Sequence, residues 1–176
     1  MTVDTRWLDS KQKAAWVRLA AVLELLPAAL DSQLRRDAQL THFDYFVLAM
    51  LSEAPGRTLR MTALAEHTTA TLARLSHVVQ RLETRGLLER FPCPEDKRAT
   101  NARLTDDGWA KVREAAPGHV ATVRENVIDA LTPEQVTQLA GIADAILHRL
   151  DPERARAAVY ERYDLNHSED GPTGRR

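Results

Sequence analysis

The stretch LRMTALAEHTTATLARLSHVVQRLETRGLLERFPCPEDKRATNARLTDDG, residues 59–108, decides how this chain is read. Ala63-Leu64-Ala65-Glu66-His67 makes one or two helical turns with Leu64 buried, Thr68 to Ala70 make a turn, and a longer helix runs from Leu72 to about Arg85. Thr62 stands where it would cap the short helix and Thr71 where it would cap the long one, since a threonine hydroxyl accepts from the unpaired amides at a helix start. Gly86 stops the long helix. Leu87–Phe91 and Arg98–Leu104 read as strands joined by the loop Pro92–Lys97. This order of elements places one helix for a DNA major groove beside a basic loop for a minor groove.

At helical spacing Leu72, Leu75, Val78, Val79 and Leu82 fall on one side of the long helix and are expected to face the core. Ala73, His77, Gln80 and Thr84 lie opposite, flanked by Arg74, Ser76 and Arg81. Small residues permit close approach, glutamine can pair with adenine, and arginine can bind guanine or phosphate. Ser76 and His77 can reach either. Any amphipathic surface helix has a polar face; the adjoining short helix and three-residue turn favour the recognition reading. At the hairpin tip, Asp96 and Arg98 are two apart, so in extended chain they point the same way and are expected to pair. Arginine is drawn to narrow A·T-rich minor grooves, and Lys97 adds charge beside it.

The net charge of −1 argues at first against a nucleic-acid partner, but its distribution reverses that. Between Arg57 and Arg103 nine arginines and lysines face five carboxylates, which makes this segment basic and the flanks acidic. One cysteine, Cys93, leaves no internal disulfide. The N-terminus has no apolar signal core and no stretch is apolar enough to span a bilayer, so a cytoplasmic protein with no membrane partner is expected.

Working outward, Asp9-Ser10 precedes a long helix with an apolar stripe from Ala14 to Leu34, inside which Pro27 is expected to kink or divide the helix. Thr41 caps a second helix that turns Phe43, Phe46, Val47, Met50 and Leu51 inward; Arg57–Arg60 is a short extended piece. Thr105 caps a long helix opened by Asp106 and Asp107 and interrupted or bent at Pro117-Gly118. Leu131-Thr132-Pro133-Glu134-Gln135 restarts a helix, with Thr132 and Gln135 as reciprocal caps. Asp151-Pro152 can start a last short helix to about Tyr163, and the polar tail from Asn166 is expected to be disordered.

The density and order of these motifs resemble the winged helix-turn-helix core of the MarR family of bacterial transcriptional regulators. Leu64-Ala65 opens the first motif helix, and Arg81-Leu82-Glu83 leads to Arg85-Gly86-Leu87. Asp96-Lys97-Arg98 matches the wing Asp-x-Arg, and Leu104-Thr105 with Gly108 the Leu-Thr-x-x-Gly after it. The resemblance implies a mainly α fold with a small β-hairpin wing. It divides the chain into a winged helix-turn-helix domain at 41–108, a helical dimerisation region at 1–40 and 109–164, and a tail at 165–176. It also implies a homodimer on double-stranded DNA, usually a repressor of a near-palindromic operator released by a small aromatic effector. DNA contact falls to Thr71, Ala73, Arg74, Ser76, His77, Gln80, Arg81, Asp96, Lys97 and Arg98. The chain departs from the family at Leu72, where many members carry a polar or basic residue.

Trp7, Trp16, Tyr45 and Trp109 lie on helices that match those around the family's ligand cleft; the last three are the candidate pocket, against the plainer reading of core or interface packing. Cys93 sits between two prolines with no helix start beside it to lower its pKa, although Arg90 and Lys97 are close in sequence; an inert wing cysteine is the plainer reading, against oxidant sensing through an intermolecular disulfide or an adduct. Histidines 42, 67, 77, 119, 148 and 167 show no metal-binding spacing, and neither a cofactor nor catalysis is expected. A DNA binder that needs no ligand and a winged helix serving protein interaction are the rival readings.

Overall fold

The computed structural model describes residues 5–151. In chain order the elements are α1 (Ser10–Ala38), α2 (His42–Glu53), β1 (Thr58–Arg60), α3 (Met61–His67), α4 (Leu72–Thr84), β2 (Leu88–Pro92), β3 (Thr100–Leu104), α5 (Asp106–Asn126) and α6 (Pro133–Leu150). The expected helix after Asp151 and the tail lie outside the described residues.

Threonines set most helix starts. Thr41, Thr71, Thr105 and Thr132 each accept a backbone N–H with the side-chain oxygen, at 3.0, 3.2, 3.0 and 3.3 Å. At Thr41 and Thr132 the bond is reciprocal, with Asp44 and Gln135 reaching back to the cap amide. Thr62 is different: α3 begins at Met61, and its cap position, Arg60, makes no side-chain bond. The reason is β1, which pairs with β3 through Arg60↔Asn101 and so keeps the chain extended until the helix begins. The short extended piece is therefore the third strand of an antiparallel sheet in the order β1-β3-β2.

Pro27 and Pro117 do not divide their helices; α1 and α5 each run through the proline unbroken. A proline cannot donate to the carbonyl four residues back, here on Leu23 and Arg113. Both residues are exposed in the single chain, so water can satisfy the released oxygen.

Leu34, Leu40, Leu48, Leu51, Leu64, Leu75, Leu82 and Leu88 are fully buried and centre the core. Leu48 was not among the inward residues expected of α2, where Phe43, Phe46 and Met50 are only partly buried. Gly108 fits α5 to the wing: a Cβ there would lie 1.9 Å from the Leu87 carbonyl oxygen, so only glycine permits this approach. Gly86, at φ +71°, makes the left-handed turn between α4 and the wing.

Two apolar faces are left open. Trp16, Val17, Val22, Leu23 and Leu25 of α1 are exposed, and so are Leu139, Ile142, Ile146 and Leu150 of α6. None of α6 is buried. Among the described residues no helix is long and apolar enough to cross a membrane.

Candidate nucleic-acid interface

Helix α4 is held from behind by Leu75, Val78, Val79 and Leu82, all buried. Ala73, Arg74, His77 and Gln80 consequently point out, with Thr71 exposed at the cap and Ser76 half-buried on the wing side. Leu72 departs from the expectation: it is 49% exposed. As the first residue of the helix it lies beyond the end of the core stripe.

The two arginines flanking this face are both engaged on the α2 side. The Arg74 guanidinium lies over the Phe43 ring, 4.4 Å from its centroid. That of Arg81 is bonded to the Asp44 carboxylate, whose second oxygen accepts from the Thr41 amide at 2.9 Å. Asp44 is buried, so Arg81 neutralises a charge that water does not reach. This structure thus ties Arg81 to the fold through Asp44, with half of its side chain still exposed.

The wing is anchored to α4 by Glu83. Its carboxylate accepts from the Arg90 backbone N–H at 2.9 Å and from the Arg90 guanidinium at 2.6 and 2.9 Å. Those bonds hold the Glu83 carboxyl below the usual carboxylate range. At the tip, Asp96, Lys97 and Arg98 are exposed. The expected Asp96–Arg98 ion pair is replaced by a backbone contact: Asp96 Oδ1 accepts from the Arg98 amide at 3.1 Å. The chain is not extended there. The Ala99 N–H donates to the Asp96 carbonyl at 2.8 Å, closing a turn in which the aspartate side chain caps the backbone. Strand β3 accordingly starts at Thr100 instead of Arg98.

Between the start of α4 and the wing runs a groove of about 220 Å³ lined by Arg60, Thr62, Leu72, Ser76, Arg90 and Arg98 among others. Cys93 is buried nearby in the wing, with a nitrogen of the groove-lining Arg60 3.5 Å from its Sγ. The Glu95 and Asp96 amides, with Arg60, pull the thiol below its ordinary pKa, an influence not visible in the sequence.

The candidate pocket aromatics occupy three separate settings. Trp109 packs under the Arg57 guanidinium at 4.6 Å, Tyr45 against His119 at 4.6 Å, and Trp16 stands exposed on α1. Trp7 is also exposed. What the sequence did not reveal is the polar junction where α1, α2 and α5 pack. His42 and His119 stack there with ring centroids 6.2 Å apart, and burial pushes both imidazoles below their ordinary pKa. The His119 Nδ1 and the Oε1 of the buried Gln33 are enclosed without a hydrogen-bond partner. A small ligand with a donor for the Gln33 oxygen, and a donor or acceptor for the imidazole nitrogen according to its tautomer, can satisfy such atoms. Only long-range packing assembles this set, so no local motif announces it. Among the described residues no cluster of three metal-ligating side chains occurs.

Set against known proteins, residues 40–100 match the model of the MarR family. The fold superposes on Sco3205, a MarR family transcriptional regulator from Streptomyces coelicolor solved in complex with DNA. The TM-score is 0.82 and the identity 44%, over 85% of this chain and 93% of that one. It is likewise similar to AbsC, a MarR family regulator of the same organism: TM-score 0.79, 39% identity, 83% of this chain and 98% of that one. The repressor YetL of Bacillus subtilis is 27% identical over 122 residues, 62% of this chain and 73% of that protein.

Proposed function

The chain belongs to the MarR family of transcriptional regulators, and from that premise we propose that it acts as a homodimeric repressor of a near-palindromic operator, released by a small molecule. The observation that carries this reading is the division of its surface. One side presents the polar face of α4 and the basic wing tip, while α1 and α6 present apolar faces that the single chain leaves uncovered. A second copy seated on those faces sets two α4 helices about one helical turn of DNA apart.

Ala73, Arg74, Ser76, His77 and Gln80 then meet base edges and phosphates in the major groove, with Thr71 at its rim. Lys97 and Arg98 reach the flanking minor groove, and Asp96 shapes their loop. Arg74 has to leave Phe43 to do so; Arg81 positions α4 through Asp44. The repressor assignment is supported by the name of the B. subtilis relative. An effector would act by favouring an arrangement of the winged domains in which the helix spacing no longer fits. The junction of His42, His119 and Gln33 brings together two of the buried polar atoms that lack a hydrogen-bond partner among the described residues, and there the effector would bind.

The test is recovery of chromosomal fragments bound by the protein, with transcription measured in a strain lacking it. Genes beside the bound sites should rise in expression. A titration of aromatic acids should weaken binding to those fragments for at least one compound. Unchanged expression would overturn the repressor assignment, and binding indifferent to every compound would favour a regulator without an effector.

A further inference from the structure

Leu72 is the exposed large apolar residue of the DNA-facing region, well apart in sequence from the open faces of α1 and α6. It is the first residue of α4, one turn before Ser76 on the same side of the helix. Arg60, Thr62, Ser76, Arg90 and Arg98 share its groove. Arg90 is held by Glu83 and Arg60 lies 3.7 Å from Glu95, whereas no ion pair among the described residues engages Arg98.

On its wing side Leu72 faces arginines and hydroxyls, and toward α3 it adjoins Ala65, Glu66 and Ala70, a mixed surface poorly matched to another protein's apolar face. It is well matched to a DNA groove, where phosphates meet the cations and an apolar group lies between them. The major-groove edge of DNA offers one such group, the C5-methyl of thymine. The first residues of a recognition helix are those that approach base edges. We propose that Leu72 reads thymine at the wing-side edge of each half-site through contact with that methyl. This rests on the reading of α4 as the major-groove helix, and it gives the chain a base preference of its own at that position.

The test uses an operator duplex selected from random sequence, in which each thymine in turn is replaced by deoxyuridine. That change deletes the methyl and leaves pairing intact. At one symmetric position the wild-type protein should lose about three- to fivefold in affinity per half-site, the scale of one buried methyl group. Leu72→Ala should bind thymine and uracil equally at that position while keeping the preferences carried by other thymines. Leu72→Ser serves as a second variant if the alanine form unfolds, and a melting curve accompanies each. Equal affinity of the wild type for every thymine and uracil duplex would overturn the proposal, as would a methyl effect undiminished in both variants. Failure to select any preferred duplex would overturn the reading of α4 as well.

Discussion

Asp44, buried in α2, holds the guanidinium of Arg81 from α4 with one carboxylate oxygen and the Thr41 amide with the other. Helix α4 is thereby fixed to the first turn of α2, just after the chain leaves α1. Arg81→Ala should destabilise the protein by about 1–3 kcal/mol, because it leaves a buried carboxylate short of a partner. Operator affinity should fall with it, but the slope of log K against log salt should stay the same. A slope lower by about one unit, with unchanged stability, would make Arg81 a phosphate contact instead.

Gln80, exposed on α4, is expected to read a base edge. Gln80→Ala should cost about 1–3 kcal/mol on the operator and relax preference at one base pair. Competition against random duplex decides it, since equal losses on both would assign Gln80 to the DNA backbone.

Arg98 makes no ion pair with Asp96, so its charge is available to DNA. Arg98→Ala should lower the salt slope by about one unit and weaken preference for A·T pairs flanking the half-sites. Its melting curve should match the wild type. Asp96→Ala loosens the turn but leaves the arginine, so it should weaken binding less. Asp96→Asn, which keeps an acceptor for the Arg98 amide, should bind nearly as the wild type does. Titrations of the three variants against salt check the order; Asp96→Ala as damaging as Arg98→Ala would contradict it.

His42 and His119 are held below the ordinary histidine value of 6.5 by burial, opposed at His42 by the Asp31 carboxylate and reinforced at His119 by His42. The unfolded chain therefore takes up protons first as pH falls. Their favourable contribution is complete above 6.5 and is lost as pH drops through the folded values. The melting temperature should fall between about pH 7.5 and pH 5.5, and His119→Gln should shrink that fall. The carboxyls of Asp31 and Glu83 are held low by Arg35 and Arg90, so their stabilisation is lost only in more acid solution. An undiminished fall in the variant would remove the histidine pair as its cause.

Local signals carried most of the fold. Threonine caps, the Gly86 stop and the apolar spacing of α4 are short-range features, and they located the helices and the wing closely. Misreadings arose where distant residues decide. Thr62 lost its capping role because β1 pairs with β3, some forty positions on. Arg81 reads as an unpartnered cation because Asp44, which holds it, is remote in sequence. Leu72 fits the core periodicity, yet the core ends before it. Asp96 and Arg98 pair only in extended chain, and the loop turns between them. The histidine junction depends on three helices meeting, which no local spacing encodes.

Whether two copies place paired α4 helices in consecutive major grooves can be read by hydroxyl-radical footprinting on a selected operator. Protection should show two-fold symmetry, its half-site centres about 10–10.5 base pairs apart. Minor-groove protection just outside each half should disappear in Arg98→Ala. A single asymmetric patch of protection, saturating with one chain per duplex, would contradict it.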